Sequence, residues 1–459
     1  MKRKVFIGAM LCLLMLPVAS HANLQDYLTA YDYTIQFYPR WFSWVQSNNS
    51  YSLNNVLSGP DGMGPEFKVI NAVNDDTIYA RALLDLSSEP QIVTIPPYSN
   101  LYSVAILDVF GSIIVSVSTP TKTGATYALV GPDYTGTLPD GVIPVSLPYN
   151  SSELFIRIDK YSPQRVDLTQ EANGFRAALK MQNLSNYILN PSGGQTIITP
   201  LSYCSTPIKR MADEAIQVSP TDYLNTLQEA MASPTTEPLS ASDHELISQF
   251  NISFNAAKRQ TADPYNSSLS DIIQGAQAAH DMIIDHWRSN VGPTNWIHFN
   301  NMGQWGDNYL DRASANQYIQ FANNIKAAYY AHAFVDSDNV PLDGSNAYTI
   351  TFTKDNYPDF SRFASITAYT PEDIELVANS YNKYLVASYT PGLVVDPDGS
   401  ITIYVQSNPP ITAPIANWLP VPATGPFNLM LRIYGPTSDS ELNGTYIPPA
   451  ILWKIGGGN

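Results

Sequence analysis

Cysteine is nearly missing from this chain of 459 residues, which holds only Cys12 and Cys204. Cys12 falls in a leader expected to be removed, so one thiol remains; that excludes an intramolecular disulfide and any Cys-x-x-Cys redox or zinc pair. Charge is scarce too, at 14% of residues against about 25% in an average soluble protein. Basic residues are the scarcer sign, 24 against 40 acidic, for a formal charge of −16. Such a surface repels nucleic acid and anionic lipid, so neither is expected as a partner. No Gly-x-Ser-x-Gly elbow and no glycine-rich phosphate loop ending in lysine occurs. HELIS at His244 has Ser248 where a zinc protease helix needs its second histidine, and CSTPIKR at Cys204 has the wrong spacing for a sulfatase nucleophile. The run from Asp336 to Asp343 carries Pro341 where a calcium loop needs its glycine, and reads as a turn.

The start of the chain is the most legible part. MKRKVFIGAMLCLLMLPVASHA has a basic opening, an apolar run of about 14 residues and small residues at Ser20 and Ala22. That pattern predicts a signal peptide over residues 1–22, cleaved before Asn23, and an exported protein, periplasmic or secreted. The run is short of the ~20 residues of a membrane anchor, and no later stretch reaches that length. Leu11 ahead of Cys12 is too large for a lipoprotein site. Removal of three basic residues moves the formal charge from −16 to −19.

What the chain has in quantity is tyrosine, 29 residues, and proline, 35, which suits strands punctuated by proline loops. Leu24, Tyr27, Leu28, Tyr31 and Ile35 stand at helical spacing, with Pro39 expected to end or kink that helix. Period-two alternation follows in TIYARALLDL, QIVTIP, LYSVAILDVF, IIVSVST, TYALVG and ELFIRID. Helical spacing takes over in TDYLNTLQEAMA, SDIIQGAQAAHDMIIDHW and LDRASANQYIQFANNIKAAYYAHAF; in these, His280 reads as a hydrogen-bonded core histidine and His332 as the end of a helix. Strands resume in AYTITF, FASITAY, a hairpin through DPDG into SITIYVQ, and FNLMLRIY. The division is therefore a signal peptide at 1–22, a helix and loop at 23–65, a first β-sandwich at 66–200, a helical segment at 201–335, a second β-sandwich at 336–455 and a tail at 456–459. The fold class is mainly β with a helical middle: two jelly-roll-like antiparallel sandwiches joined by helices.

Candidate chemistry lies on the strand faces. In TIYARALLDL, Ile78, Ala80, Ala82 and Leu84 share one face, while Thr77, Tyr79, Arg81 and Asp85 share the other. The same count sets Tyr102 with Asp108 and Arg432 with Tyr434. A solvated face usually carries Lys, Glu, Ser and Thr, whereas Tyr, Arg and Asp are the types that build enclosed polar networks or ligand sites.

These same strands carry a resemblance. NDDTIYARALLDLSSEP and VGPDYTG resemble blocks of the family catalogued as domain of unknown function 1254. YLDRA, PLDGSNAYTITF, DGSITIYVQ, NWLPVP, FNLMLRIYGP and LNGTYIPP resemble, in order, blocks of domain of unknown function 1214. The two families commonly occur in tandem, and the resemblance implies two jelly-roll sandwiches with helices between and around them; it implies no activity. Departures are Phe363, Ala364, Ser365, Ile366, Thr367 where the second family has Phe-Trp-Ser-Leu-Thr, and STPTKTG, which lacks an arginine frequent in the first.

Two functions stay open. One is a hydrolase of an amphiphilic ester or sulfate ester, with Asp76, Tyr79, Arg81 and Asp108 as catalytic candidates and Tyr102, Asn417, Trp418, Arg432 and Tyr434 as substrate-binding ones; Asp76, Asp85 and Asp108 are candidate ligands for a divalent metal. The other is a non-catalytic binding or envelope protein with an aromatic surface for sugars, lipids or a protein. On the first, Arg81 and Arg432 each need a carboxylate or an anionic ligand beside them.

Overall fold

The alternating runs of the first half all become strands. The computed structural model describes residues 23–48, 53–118, 120–194, 196–198, 205–260 and 267–454; the expected leader, Cys204 and the tail lie outside the described residues. A six-stranded sheet runs in the spatial order Thr196–Ile198, Val56–Ser58, Thr77–Asp85, Ser151–Asp159, Tyr102–Leu107, Ile113–Val117. It faces a four-stranded sheet of Ile143–Ser146, Ala125–Val130, Gln91–Ile95 and Lys180–Asn183. Because side chains alternate along a strand, Ile78, Ala80, Ala82 and Leu84 meet Val93, Ile95, Leu129 and Met181 in a shared apolar core.

The second half repeats the plan. Strands Ala328–Ala333, Asn428–Pro436, Phe360–Tyr369 and Leu385–Ala387 form one sheet; Trp418–Pro420, Ile401–Gln406, Tyr348–Phe352 and Leu452–Trp453 form the other. Ile366, Leu429, Leu431 and Ile433 from the first pack on Ile350, Ile401, Ile403 and Val405 from the second. Pairing is mostly antiparallel, with parallel neighbours at three sheet positions. The protein is thus mainly β, with two sandwiches and helices between them.

Helices Ile208–Val218, Pro220–Ala232, Ala241–Arg259, Ser267–Ser289 and Tyr309–Tyr318 share a core with the N-terminal helix Leu24–Asn48. That helix does not end at Pro39 but continues to Asn48. Aromatic burial on both sides of the proline, at Tyr38, Trp41 and Phe42, outweighs the ~3 kcal/mol a mid-helix proline costs. The buried face is also not the expected one. Ala30, Tyr33, Phe37, Trp41 and Phe42 enter the core, while Leu24 and Leu28 stay 58% and 43% exposed.

Two other local expectations are corrected. AYYAHA is the strand Ala328–Ala333 rather than the end of a helix; the helix stops at Tyr318, and pairing with Asn428–Pro436 overrides the helical spacing. The DPDG turn forms, with Gly399 at φ +87° and Gly399 N–H donating to Asp396 O at 2.8 Å, but the LVV before it is not a strand. His280 is the buried, hydrogen-bonded residue expected, its Nε2 lying 2.9 Å from Asp213 Oδ1.

Candidate functional site

Each sandwich has one sheet whose second face does not look at water. Tyr79, Arg81, Phe155 and Arg157 project from the first sandwich, and Tyr330, Arg432 and Tyr434 from the second, toward a seam between the two. The seam is tied directly. Arg362 of the second sandwich makes a two-pronged ion pair with Asp159 of the first, one prong at 3.0 Å, both side chains fully enclosed. Asn74 Nδ2 donates to Tyr434 Oη at 2.8 Å.

A cavity lies in this seam, with about 50 Å³ open to the centre of a water-sized sphere, room for a few waters or a small ligand group. Tyr79, Arg81, Arg432 and Tyr434, candidates from two strands more than 300 residues apart in sequence, all line it. Its walls are otherwise mostly apolar, including Phe67, Val69, Ile70, Phe155, Ile319 and Phe321, and they hold no Asp or Glu among the described residues.

The three arginines are not equivalent. Arg81 is matched: Nε and Nη2 donate to Glu153 Oε2 at 3.0 and 2.6 Å, and the guanidinium lies between the rings of Phe155 and Phe321 at 5.2 and 4.9 Å. Arg157 donates to Asn323 Oδ1 at 3.0 Å and Phe321 O at 2.7 Å. Arg432 donates to Thr367 Oγ1 at 3.3 Å and to Ala72 O. Neither of these two has a carboxylate bonded to it among the described residues; Arg157 spends two of its five N–H donors on these bonds, and Arg432 bonds the Tyr369 hydroxyl as well. Two phenols add to the excess. Tyr434 accepts from Asn74, and Tyr330 from Asn323 Nδ2 at 2.8 Å, so each hydroxyl has a proton left to give. Burial holds the Tyr434 hydroxyl well above its ordinary pKa, so it stays a donor. The charged side chains of this wall are all arginines, so its charged hydrogen-bonding capacity is donor capacity.

Backbone geometry fixes those donors. Ala72 and Phe321, whose carbonyls clamp Arg432 and Arg157, have φ of +51° and +58°, a left-handed conformation that non-glycine residues seldom adopt. The Ala72 N–H is held in turn by the carbonyl of Ile374, itself at φ +55°. Strain of this kind, of order 1–3 kcal/mol per residue, gathers at functional sites.

Asp76 sits behind the wall rather than in it. It is fully buried and accepts from Ser365 Oγ at 2.9 Å and Tyr389 Oη at 2.5 Å. Desolvation raises its carboxyl to about 6, against the pull of the Tyr389 hydrogen bond and the nearby Arg432 charge.

Other candidates lie elsewhere. Tyr102 points into the core of the first sandwich with Phe175, because it is register partner to Ile158 and shares that inward face; the polar-face count for this strand was off by one. Asp108 closes the turn after its strand, accepting the N–H groups of Phe110 and Ser112 at 2.9 and 2.8 Å. Asp85 ends the strand that Asp76 precedes and binds Ser87; nine residues of strand put the two about 30 Å apart. Asp76, Asp85 and Asp108 therefore do not form one metal site, and no cluster of three His, Cys, Asp or Glu side chains gathers among the described residues. Asn417 clamps the loop at Val394 through bonds of 2.9 Å to its N–H and carbonyl, and the Trp418 indole donates to Gln406 O at 2.8 Å. Trp418 begins an edge strand of the far sheet of the second sandwich and Asn417 ends the short helical turn before it, and neither walls the cavity.

Four residues that matter here were not singled out from the sequence. Glu153, Phe155 and Arg157 alternate with Leu154, Ile156 and Ile158 in ELFIRID, the same signal that marked Tyr79 and Arg81. Tyr330 was hidden by the helical reading of its strand.

No curated protein matches the chain. Among solved structures, the VPA0106 protein from Vibrio parahaemolyticus is similar over 94% of this chain and all of its own, with 20% identity and a TM-score of 0.59, a likeness of fold. An uncharacterised protein from Burkholderia cenocepacia aligns over 91% of this chain and 87% of its own, at 12% identity and a TM-score of 0.44. The chain carries two family domains in tandem, residues 53–183 belonging to the family described as protein of unknown function (DUF1254) and residues 327–438 to protein of unknown function (DUF1214).

Proposed function

We propose that this is an exported binding protein whose seam cavity takes a small anion with a short apolar body, such as a carboxylate or a sulfate or phosphate monoester. One observation carries the reading: Arg157 and Arg432, whose guanidiniums can only donate, face a cavity without acidic walls, with the phenol protons of Tyr330 and Tyr434 beside them. An anion is the ligand that only accepts, and an arginine fork matches a carboxylate or phosphate oxygen pair. The apolar wall would enclose the rest of the molecule. Among the described residues, no helix is long and apolar enough to cross a membrane; the export reading rests on the leader pattern of residues 1–22.

The test is calorimetric titration with short alkyl carboxylates and alkyl sulfates, each beside the neutral alcohol of equal length. Binding of the anions alone is expected, with loss of at least tenfold in affinity in Arg432→Gln and in Arg157→Gln. Equal binding of the neutral alcohols overturns the reading.

A hydrolytic reading keeps one specific support, the contact of Ser365 Oγ with an Asp76 carboxyl poised near 6. That is a hydroxyl beside a base whose pKa suits proton transfer near neutrality. Turnover of an ester or sulfate ester that disappears in Ser365→Ala, with the fold intact, would establish it.

A further inference from the structure

Helices Leu24–Asn48 and Ser267–Ser289 start side by side. Asn23 meets Asp271, and one turn further on a Cβ at Gly275 would stand 2.2 Å from the carbonyl oxygen of Tyr27, so glycine alone permits the approach. Two helix N-termini, each with about half a positive charge, therefore share one corner. Two buried carboxylates enter it. Asp271, 4% exposed, accepts the Asn23 main-chain N–H at 2.9 Å. Asp26 accepts from the Asn23 side chain at 2.7 Å and from Ser268 Oγ. Asp26 is an ordinary first-turn acid, its own N–H donating to Asn23 Oδ1 at 3.3 Å. Asp271 is different: it comes from a helix 248 positions away and reaches a main-chain nitrogen of the other helix. The sequence supplies the independent observation, since SHA, the small-x-small end of a leader, stands immediately before that nitrogen.

We propose that hydrolysis of the Ala22–Asn23 bond by a leader peptidase makes Asn23 the first residue, and that Asp271 holds the α-ammonium so formed, with Asp26 beside it. One water adds across the bond; the leader departs with the Ala22 carboxylate, and Asn23 keeps the amine, which is protonated below about pH 8. A neutral N–H contact thereby becomes an ion pair, and charge-assisted bonds are roughly twice as strong as neutral ones. Without the carboxylates, a cation at the positive ends of two helices would be unfavourable. Processing completes this corner of the helical layer.

The experiment reads the amine itself. Protein recovered after export is sequenced from its N-terminus, and the rate of α-amine acylation at pH 7 is measured for the folded protein, the same protein in urea, and Asp271→Asn. The expected start is Asn23, with acylation about tenfold slower in the folded protein than in urea, because an ion pair raising the amine pKa by one unit cuts the free amine tenfold. Asp271→Asn should restore the fast rate. Should that variant not fold, a chain carrying one extra residue before Asn23 replaces it and should label at the rate seen in urea. A start at another residue, or one rate for all forms, overturns the proposal.

Discussion

On the strand Thr77–Asp85, Ile78, Ala80, Ala82 and Leu84 enter the core of the first sandwich while Tyr79 and Arg81 enter the seam; on Asn428–Pro436, Leu429, Leu431 and Ile433 do the one and Arg432 and Tyr434 the other. The two faces of the same strands answer to different physics. The cores remove apolar surface from water, worth about 25 cal/mol for each Å². The seam holds Arg81, Arg157, Arg362 and Arg432, all nearly inaccessible, and enclosing ions costs several kcal/mol each before any pairing offsets it. A seam selected for stability alone would be apolar like the cores. That difference is what the proposed ligand site would account for.

The sharpest way to break the comparison is the ion pair that crosses the seam. Arg362→Met should cost about 3–5 kcal/mol in urea unfolding, because Asp159 is left buried and uncompensated, whereas Arg362→Met with Asp159→Leu should recover most of it. Failure of the double variant to recover would mean that the seam's polarity is structural after all. In the core, Leu429→Ala should cost about 2–5 kcal/mol and leave anion affinity unchanged; a parallel loss of affinity would erase the distinction between the two faces.

The pH dependence sharpens it further. Asp76 has a folded pKa of about 6, above the ordinary ~3.9, so its contribution to stability is full below about 4 and is lost as pH rises through 6. The difference in stability between wild type and Asp76→Asn should follow that window. Anion affinity should fall across the same range, because an ionised Asp76 competes for the field of Arg432, and Asp76→Asn should bind with a flat profile. Under the hydrolytic reading the same variant loses turnover instead. A smaller effect is expected at Trp418→Phe, about 1–2 kcal/mol for the lost indole bond to Gln406 and the space the smaller ring leaves in a buried site, with no change in binding.

Strand faces were legible wherever a local alternation ran uninterrupted, which is how Tyr79, Arg81, Arg432 and Tyr434 were found together. What failed was whatever distant pairing decides. Ala328–Ala333 is a strand because Asn428–Pro436 lies beside it, and no window around AYYAHA contains that partner. Tyr102 has the parity of Asp108, but Asp108 caps a turn beyond the strand and carries no information on the face Tyr102 takes. Asn417 and Trp418 carry side chains suited to a ligand, yet both spend them on neighbouring backbone. On the helix Leu24–Asn48 two apolar stripes compete, and the more aromatic one won.

The left-handed residues Ala72 and Phe321 bear on what the cavity can admit. Each presses a carbonyl against a guanidinium, so Arg432 and Arg157 give up their conformational freedom, about 2 kcal/mol for an arginine side chain, when the chain folds rather than when a ligand arrives. On the proposed function, an incoming anion is spared that entropy of ordering. The same rigidity makes the wall unable to yield. A molecule one methylene too long meets backbone that has no neighbouring conformation to relax into, so length, more than charge, should set the upper limit on what enters.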